Sequence, residues 1–338
     1  MDNDPFHQYS QTAADSAAVV IRRYSTSFGM ACRLLGAGER RDIENIYALV
    51  RIADEVVDGA AAAAGLSPAQ VQEQLDTLEL ETERAMTLGY STNMVVHAFA
   101  ATARRTGIEP SLTRPFFSSM RADLTTADHS KDTLADYIYG SAEVVGLMCL
   151  KVFQAMEDAP PADAQMLVHA ARSLGAAFQK VNFLRDLGAD TSDLGRHYFP
   201  GVDPAALSEL HKQALLDEIR ADLAAAKDGM VFLAPAARRA VALAHALFLA
   251  LVERLEHTPA ATLASRRVRV PGYQKACLAA RVLTARYPKN VGNDSGLRAA
   301  GAPPAHVLTT DVAQEIAPLP TPGPTTDELH ESAQQGAS

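Results

Sequence analysis

The chain has 338 residues, 48% of them apolar and only 6% aromatic, which allows one large domain or two small ones. Its formal net charge of −9 excludes a general nucleic-acid-binding protein, which would need a basic face. The three cysteines, Cys32, Cys149 and Cys277, are too few and too scattered for a disulfide framework or a zinc cluster, and this usage is typical of a reducing cytosol.

The predicted elements are helices, separated by short breaks that contain Gly, Pro or Asp. Abundant Ala, Leu, Arg and Glu favour helix. The best strand candidate, residues 267–270, is too short to carry a sheet. We therefore predict an all-α fold. In chain order the predicted helices cover residues 13–24, 40–58, 68–88, 94–106, 113–125, 133–157, 162–187, 205–226, 232–257 and 273–287.

The two ends of the chain differ from this helical part. Residues 1–5 are acidic and lack an apolar core, so we expect no signal peptide there and a flexible N-terminus over residues 1–12. Residues 291–338 are rich in Pro and Thr and bury too little apolar surface to offset their ordering entropy, so we expect a disordered tail after a domain at 13–290. The apolar run 240–252 is too short to span a membrane and is explained by a buried core helix.

The predicted helix over 40–58 carries a narrow polar stripe. At 100° per residue, one sector of its surface holds Tyr47, Arg51, Asp54 and Asp58. Apolar residues flank this sector on both sides, whereas a surface helix keeps one broad polar face. We therefore predict a buried helix whose polar stripe lines an internal, wet cavity.

A second stripe lies towards the end of the predicted helix over 162–187. Its members are Gln179, Asn182, Asp186 and Asp190. Apolar residues surround it as well, its carboxylates are again four residues apart, and Arg185 lies beside it as Arg51 lies beside the first.

Paired carboxylates on one helical face predict a metal site. Such carboxylates repel each other, and a divalent cation removes that penalty. Mg²⁺ prefers one or two carboxylates together with substrate phosphate oxygens, so two facing stripes would hold magnesium and, through it, a diphosphate. Arg51 and Arg185 would complement the remaining phosphate charge. One such Asp pair alone is more often a solvated face, and it is the repetition that favours a site.

Both stripes resemble the aspartate-rich motifs of the squalene/phytoene synthase family. The first motif reads Asp54-Glu-Val-Val-Asp58 here, and the second runs from Gln179 to Asp190, followed by Gly195-Arg-His-Tyr-Phe-Pro200. Three further segments agree with the family in order and spacing. They are Tyr24-Ser-Thr-Ser-Phe28, Met120-Arg-Ala-Asp123-Leu124 and Tyr137-Ile-Tyr-Gly-Ser-Ala-Glu-Val-Val-Gly146.

The resemblance implies an isoprenoid synthase-type, single-domain helical bundle around a central cavity. It implies head-to-head condensation of two geranylgeranyl diphosphates, through a cyclopropylcarbinyl diphosphate, to phytoene in carotenoid biosynthesis. It also implies Mg²⁺ or Mn²⁺ as cofactor. The residues it places beside the metal are Asp54, Asp58, Asn182, Asp186 and Asp190, and the four aspartates among them are the expected catalytic residues. The expected substrate-binding residues are Ser25, Ser27, Tyr47, Arg51, Gln179 and Arg185 at the diphosphates, and Phe28 and Tyr137 near the developing carbocation.

A few positions depart from the family pattern or fall outside its motifs. Glu143 stands where Gly is usual, which would alter the cavity wall, and Leu283 stands where Tyr is frequent, so we expect no substrate-contacting Tyr in the last helix. We interpret the basic cluster at 265–269 as a solvated helix start rather than a phosphate or lipid-headgroup contact. His245 is interpreted as a satisfied core histidine.

Rival functions stay open within and outside this family. A farnesyl-diphosphate-using presqualene, dehydrosqualene or squalene synthase is the main competitor. An inactive relative acting as an assembly or scaffold protein would be expected to have lost carboxylates from one stripe, and all four are present. A di-iron bundle would need Glu-x-x-His pairs, which the sequence lacks.

The expected partners follow from the same reasoning. They are isoprenyl diphosphate substrates, with no nucleic acid, a transient peripheral membrane contact, and other enzymes of the carotenoid pathway. No NADPH is expected for a phytoene synthase. We expect a cytoplasmic protein that is peripheral at the inner membrane face.

Overall fold

The computed structural model describes residues 4–126, 128–158, 160–192, 198–200, 206–263 and 265–285, and within 189–192 it describes the backbone only. This part of the chain is helical and contains no β-strand, which confirms the predicted all-α class. The helices are α1 (Pro5–Tyr24), α2 (Thr26–Cys32), α3 (Ala37–Val57), α4 (Ala60–Ala63), α5 (Pro68–Leu88), α6 (Met94–Thr106), α7 (Pro110–Thr125), α8 (Lys131–Ile138), a π-helical segment (Tyr139–Glu143), α9 (Val144–Gln154), α10 (Ala164–Ser192), α11 (Glu209–Met230), α12 (Pro235–Glu256), α13 (Ala260–Leu263) and α14 (Gly272–Thr284).

Local capping signals set the bounds of α5 and α6, and both helices begin and end where the sequence predicts. Ser67 forms a capping box with Gln70 before α5, and the Asn93 side chain accepts hydrogen bonds from the first backbone amides of α6. Gly89 and Gly107 end the two helices with left-handed backbone angles, φ 79° and 73°. A side chain would be strained at either position.

Helix α1 begins at Pro5, which corrects the prediction of a flexible N-terminus for residues 5–12. Asp4 caps the helix by accepting a 3.0 Å hydrogen bond from the Phe6 amide. Further along, the Tyr9 hydroxyl donates to the Ser91 carbonyl at 2.9 Å. This order depends on a partner more than 80 residues away in the sequence, which local patterning does not reveal. Residues 1–3 lie outside the described part of the chain.

The helix predicted over 133–157 is interrupted by the π-helical segment between α8 and α9. Backbones approach closely here, because a Cβ atom added to Gly175 would lie 2.5 Å from the Ala142 carbonyl oxygen. One added to Gly146 would lie 2.5 Å from the Ala171 carbonyl oxygen. Glycine is therefore required where α10 packs against this segment and α9.

The apolar core lies between these helices in two large clusters. One is built on α3 and α5–α9 around Phe99, Phe116 and Met148, and the other on α10–α12 around Leu184 and Leu216. The described helices belong to one compact unit at 1–288. The tail predicted at 291–338 lies outside the described residues.

Helix α12 contains the apolar run 240–252. Among the described helices it is the one long and apolar enough to cross a membrane, and half of the apolar window is buried within the fold. Leu243 and Leu247 are almost fully buried. Nε2 of His245 lies 2.9 Å from the Leu223 carbonyl oxygen. The predictions of a buried core helix and of a satisfied core histidine are thus confirmed.

Candidate active site

The first predicted stripe lies on α3, where Arg51 is its best-connected member. The Arg51 guanidinium forms an ion pair with Glu55, and its Nη1 atom lies 3.9 Å from a carboxylate oxygen of Asp54. The ring of Tyr24 stacks below it, with Cζ 4.6 Å from the ring centroid. Asp58 follows the last residue of α3 and is exposed. Arg51 is therefore held in place from two sides.

Asp54 has an unusual protonation equilibrium. Its loss of water contact and the nearby charges of Asp58 and Asp123 raise the pKa of its carboxyl group from 3.8 to about 8, although Arg51 opposes the shift. Asp123 lies on α7 and was not among the predicted site residues. The Met120-Arg-Ala-Asp123-Leu124 motif contained it, so the signal was present in the sequence. Together the three aspartates crowd negative charge at one place.

The second stripe lies on α10, where Asp186 is held by two arginines. Its carboxylate accepts from Nε of Arg185 at 3.0 Å and from Nε of Arg267 at 2.7 Å. Arg267 belongs to the basic cluster that we interpreted as a solvated helix start, and for this residue that interpretation is wrong. Gln179 and Asn182 are half-buried on the same helix. The side chain of Asp190 lies outside the described residues.

Phe28 forms the first link between the two stripes. Its ring centroid lies 6.4 Å from Tyr47 on α3 and 5.6 Å from Phe178, which precedes Gln179 on α10. Phe178 in turn stacks on Phe248 of α12 at 3.7 Å. The structure therefore places Phe28 between the two polar faces, consistent with its predicted position at the wall of a cavity.

Tyr137 forms the second link. Its hydroxyl donates to Asp123 at 2.8 Å, and its ring lies 6.1 Å from Phe183 of α10. Burial and the Asp123 charge raise the pKa of Tyr137 well above its usual 10, so the hydroxyl stays protonated. Through Asp123, Tyr137 connects the neighbourhood of Asp54 with α10.

The segment before α2 closes the site from a third side. Ser25 caps α2 by accepting a 3.1 Å hydrogen bond from the Phe28 amide, and its hydroxyl also contacts that of Tyr47. Lys275 of α14 donates to Thr26 at 3.0 Å. Burial and the charges of Arg185 and Arg269 lower the pKa of Lys275. Ser27 is half-buried in the first turn of α2. The N-terminal motif thus lies between α3 and α14.

The two departures from the family pattern have clear surroundings. The Glu143 carboxylate accepts from Nε of Arg172 at 2.6 Å, and the Arg172 guanidinium lies over the Tyr139 ring at 5.1 Å. Leu283 is 57% exposed on α14. The Glu143 charge is therefore paired on α10, and Leu283 faces solvent.

The residues present fit a hard divalent cation in their chemistry. Within the described residues no group of three or more Asp, Glu, His or Cys side chains is arranged closely enough to hold a metal ion. Nevertheless the carboxyl groups of Asp54, Asp58 and Asp123 raise each other's proton affinity, which is the repulsion that a cation relieves. On α10 the arginines at Asp186 provide that compensation instead.

Comparisons with known proteins agree with this geometry. A sequence model of the squalene/phytoene synthase family matches residues 21–274. The chain is 30% identical over 251 residues to a 15-cis-phytoene synthase of Paracoccus sp., covering 70% of this chain and 79% of that protein. It is 32% identical over 209 residues to phytoene synthase 2 of Solanum lycopersicum, covering 61% of this chain and 62% of that protein.

Solved structures share the fold. A dehydrosqualene synthase in complex with a ligand aligns with a TM-score of 0.69 and 22% identity, over 83% of this chain and 98% of that one. A squalene synthase from Alicyclobacillus acidocaldarius aligns with a TM-score of 0.62 and 18% identity, over 74% of this chain and 96% of that one. At these identities the likeness establishes the fold alone.

The helical bundle is thus an isoprenoid synthase fold, with two polar helix faces joined by aromatic residues. The chain belongs to the squalene/phytoene synthase family. It is accordingly a prenyl transferase of the phytoene synthase-like type, and head-to-head prenyl condensation is the reaction that its named relatives support.

Proposed function

We propose that the chain condenses two geranylgeranyl diphosphates head to head to phytoene, as a step of carotenoid biosynthesis. The observation that carries the proposal is the pair of stripes on α3 and α10, linked by Phe28 and by the contact between Tyr137 and Asp123. Similarity to the Paracoccus relative, which is named a 15-cis-phytoene synthase, supports the same substrate.

We propose Mg²⁺ as the cofactor, with Mn²⁺ able to replace it. Asp54 and Asp58 would hold it on α3, and Asn182, Asp186 and Asp190 on α10. When bound, it supplies Lewis-acid stabilisation to the departing diphosphate. Arg185 and Arg267, now paired with Asp186, would turn to phosphate oxygens, which guanidinium groups bind in bidentate fashion.

The reaction would proceed through carbocations that the protein must shield. Diphosphate leaves the donor, the C2–C3 double bond of the acceptor attacks the allylic cation, and proton loss closes the cyclopropylcarbinyl diphosphate. A second ionisation, rearrangement and proton loss give phytoene. The rings of Phe28 and Tyr137 would stabilise the cations through their faces. Because Tyr137 stays protonated, it presents no phenolate to trap them.

The test is incubation with farnesyl or geranylgeranyl diphosphate and Mg²⁺, with and without NADPH, followed by identification of the extracted hydrocarbon. We expect phytoene from geranylgeranyl diphosphate without NADPH, and no product from Asp54→Ala. A product from farnesyl diphosphate alone would favour the second candidate, a dehydrosqualene-type synthase. That candidate is supported by 29% identity to a 4,4'-diapophytoene synthase of Staphylococcus haemolyticus.

We further propose that the enzyme works in the cytoplasm as a peripheral protein at the inner membrane face. Its substrates carry long apolar chains and its product is a hydrocarbon, so both partition into lipid. Other enzymes of the carotenoid pathway would meet it there. Fractionation of cells that express the chain would test this, and recovery in the cytosolic fraction alone would contradict it.

A further inference from the structure

Helix α14 presents an apolar face to solvent. Tyr273 is 73% exposed and Leu283 is 57% exposed, and the other residues of this face are Ala276, Cys277 and Ala280. The opposite side of the helix packs through Leu278 and Val282 onto the cluster that contains Leu243 and Leu247 of α12. A surface helix normally keeps a polar outer face, so this face calls for a partner.

The surroundings of α14 are basic. Residues 265–285 contain five basic side chains and no acidic one, in a chain whose net charge is −9. Two of them are engaged elsewhere, because Arg267 pairs with Asp186 and Lys275 bonds to Thr26. Arg266, Arg269 and Arg281 remain exposed around the apolar face. They supply positive charge where the rest of the chain is negative.

A groove of about 400 Å³ lies between α12 and α14, next to this face. Its apolar lining consists of Ala246, Leu249, Ala250, Leu278, Val282 and Ala285. Leu249 is 37% exposed, so apolar surface continues from α14 onto α12. Glu253 is the one carboxylate among the lining residues, and it is matched there by Arg281.

We infer that α14, with this groove, is the surface by which the protein docks on an anionic lipid bilayer. An apolar helix face bordered by basic residues lies in the headgroup region of such a bilayer, with its apolar side chains among the upper acyl carbons. Tyr273 and Leu283 would enter the lipid, while Arg266, Arg269 and Arg281 would contact lipid phosphates. The charge selects an anionic lipid surface over a neutral one.

The same surface adjoins the candidate active site. Leu278 belongs to the apolar cluster that includes Phe178 and Met30, and Lys275 and Arg267 of this segment reach Thr26 and Asp186. Docking would therefore hold the site beside the lipid phase. The inference names the face for the proposed peripheral location, and it does not require that prenyl condensation be correct.

Vesicle co-sedimentation of the full chain tests the inference directly. Vesicles of phosphatidylcholine, alone or mixed with anionic phosphatidylglycerol, are compared. Three variants are needed: Arg266→Gln/Arg269→Gln/Arg281→Gln, the single Leu283→Glu, and a control that removes three exposed basic residues elsewhere, Arg84→Gln/Lys131→Gln/Lys227→Gln. Turnover in detergent is measured in parallel.

We expect the wild-type chain to bind the anionic vesicles and to be released by salt. Each basic residue near such a surface contributes roughly fivefold, so the triple arginine variant should bind roughly 100-fold more weakly. Leu283→Glu should also lose binding, whereas the control should change it by no more than about twofold per charge through the long-range field. Wild-type activity in detergent without vesicle binding would overturn the docking inference alone. Equal losses in the control variant would overturn it as well, as would a dimer that Leu283→Glu dissociates while vesicle binding persists.

Discussion

Replacement of Asp54 by Asn should stabilise the metal-free protein while abolishing its activity. The folded state holds the Asp54 proton with a pKa of about 8, against 3.8 for the model carboxyl group. The folded chain therefore keeps a proton that the unfolded chain gives up, and stability falls as pH rises from about 4 to about 8. Asparagine has a similar shape and no charge, so the variant escapes this loss.

The magnitude follows from the size of the pKa shift. At pH 7 the full linkage amounts to about 4 kcal/mol. Because 29% of the side chain stays exposed to solvent, we expect roughly half of this, about 2 kcal/mol. In a domain of this size that corresponds to an increase in Tm of roughly 5 °C.

Thermal unfolding followed by circular dichroism, in the presence of a chelator at pH 4.5 and pH 8, measures the effect. The buffer values of about 4.5 and about 8 bracket the two pKa values. The advantage of Asp54→Asn should appear at the higher pH and vanish at the lower one. Asp158→Asn, at an exposed site, serves as the control. An advantage that grows on acidification would refute the reasoning, and Mg²⁺ should raise the Tm of the wild type but not of the variant.

Three further outcomes are expected. Asp186→Ala should lower kcat by at least about 100-fold, with unchanged helicity by circular dichroism, because it removes the α10 carboxylate; activity near wild type would contradict its assigned role. Gly175→Ala should destabilise by about 1–3 kcal/mol in urea titrations, since its Cβ would lie 2.5 Å from the Ala142 carbonyl oxygen, whereas Gly38→Ala, with open space around it, should not. Burial lowers the pKa of His97, so wild-type stability should fall as pH drops below about 6.5, and His97→Gln should show less of this acid loss in urea titrations at two pH values.

Sequence reasoning succeeded where the signals are local. Ser67 and Asn93 start helices, and Gly89 and Gly107 end them, with chemistry confined to a few neighbouring residues. The periodicity of α3 likewise placed Arg51 beside Asp54 before any coordinates were considered.

Long-range contacts account for what was missed. The interaction of Arg267 with Asp186 joins residues 81 positions apart, and local composition made Arg267 look solvated. The order of residues 5–12 rests on contacts such as that of Tyr9 with Ser91. Asp123 lay in a recognised motif, but its proximity to Asp54 arises only when α7 packs near α3.

The π-helical segment at Tyr139–Glu143 has a consequence for how this chain tolerates length changes. A π turn contains about one residue more than an α turn. Deleting a single residue there would restore regular α-helix and rotate everything that follows by about 100°. Gly146 would then leave its groove against Ala171, and a bulkier residue would collide with the α10 backbone. Insertions and deletions should therefore be tolerated in the connecting loops of this bundle far better than in this one turn.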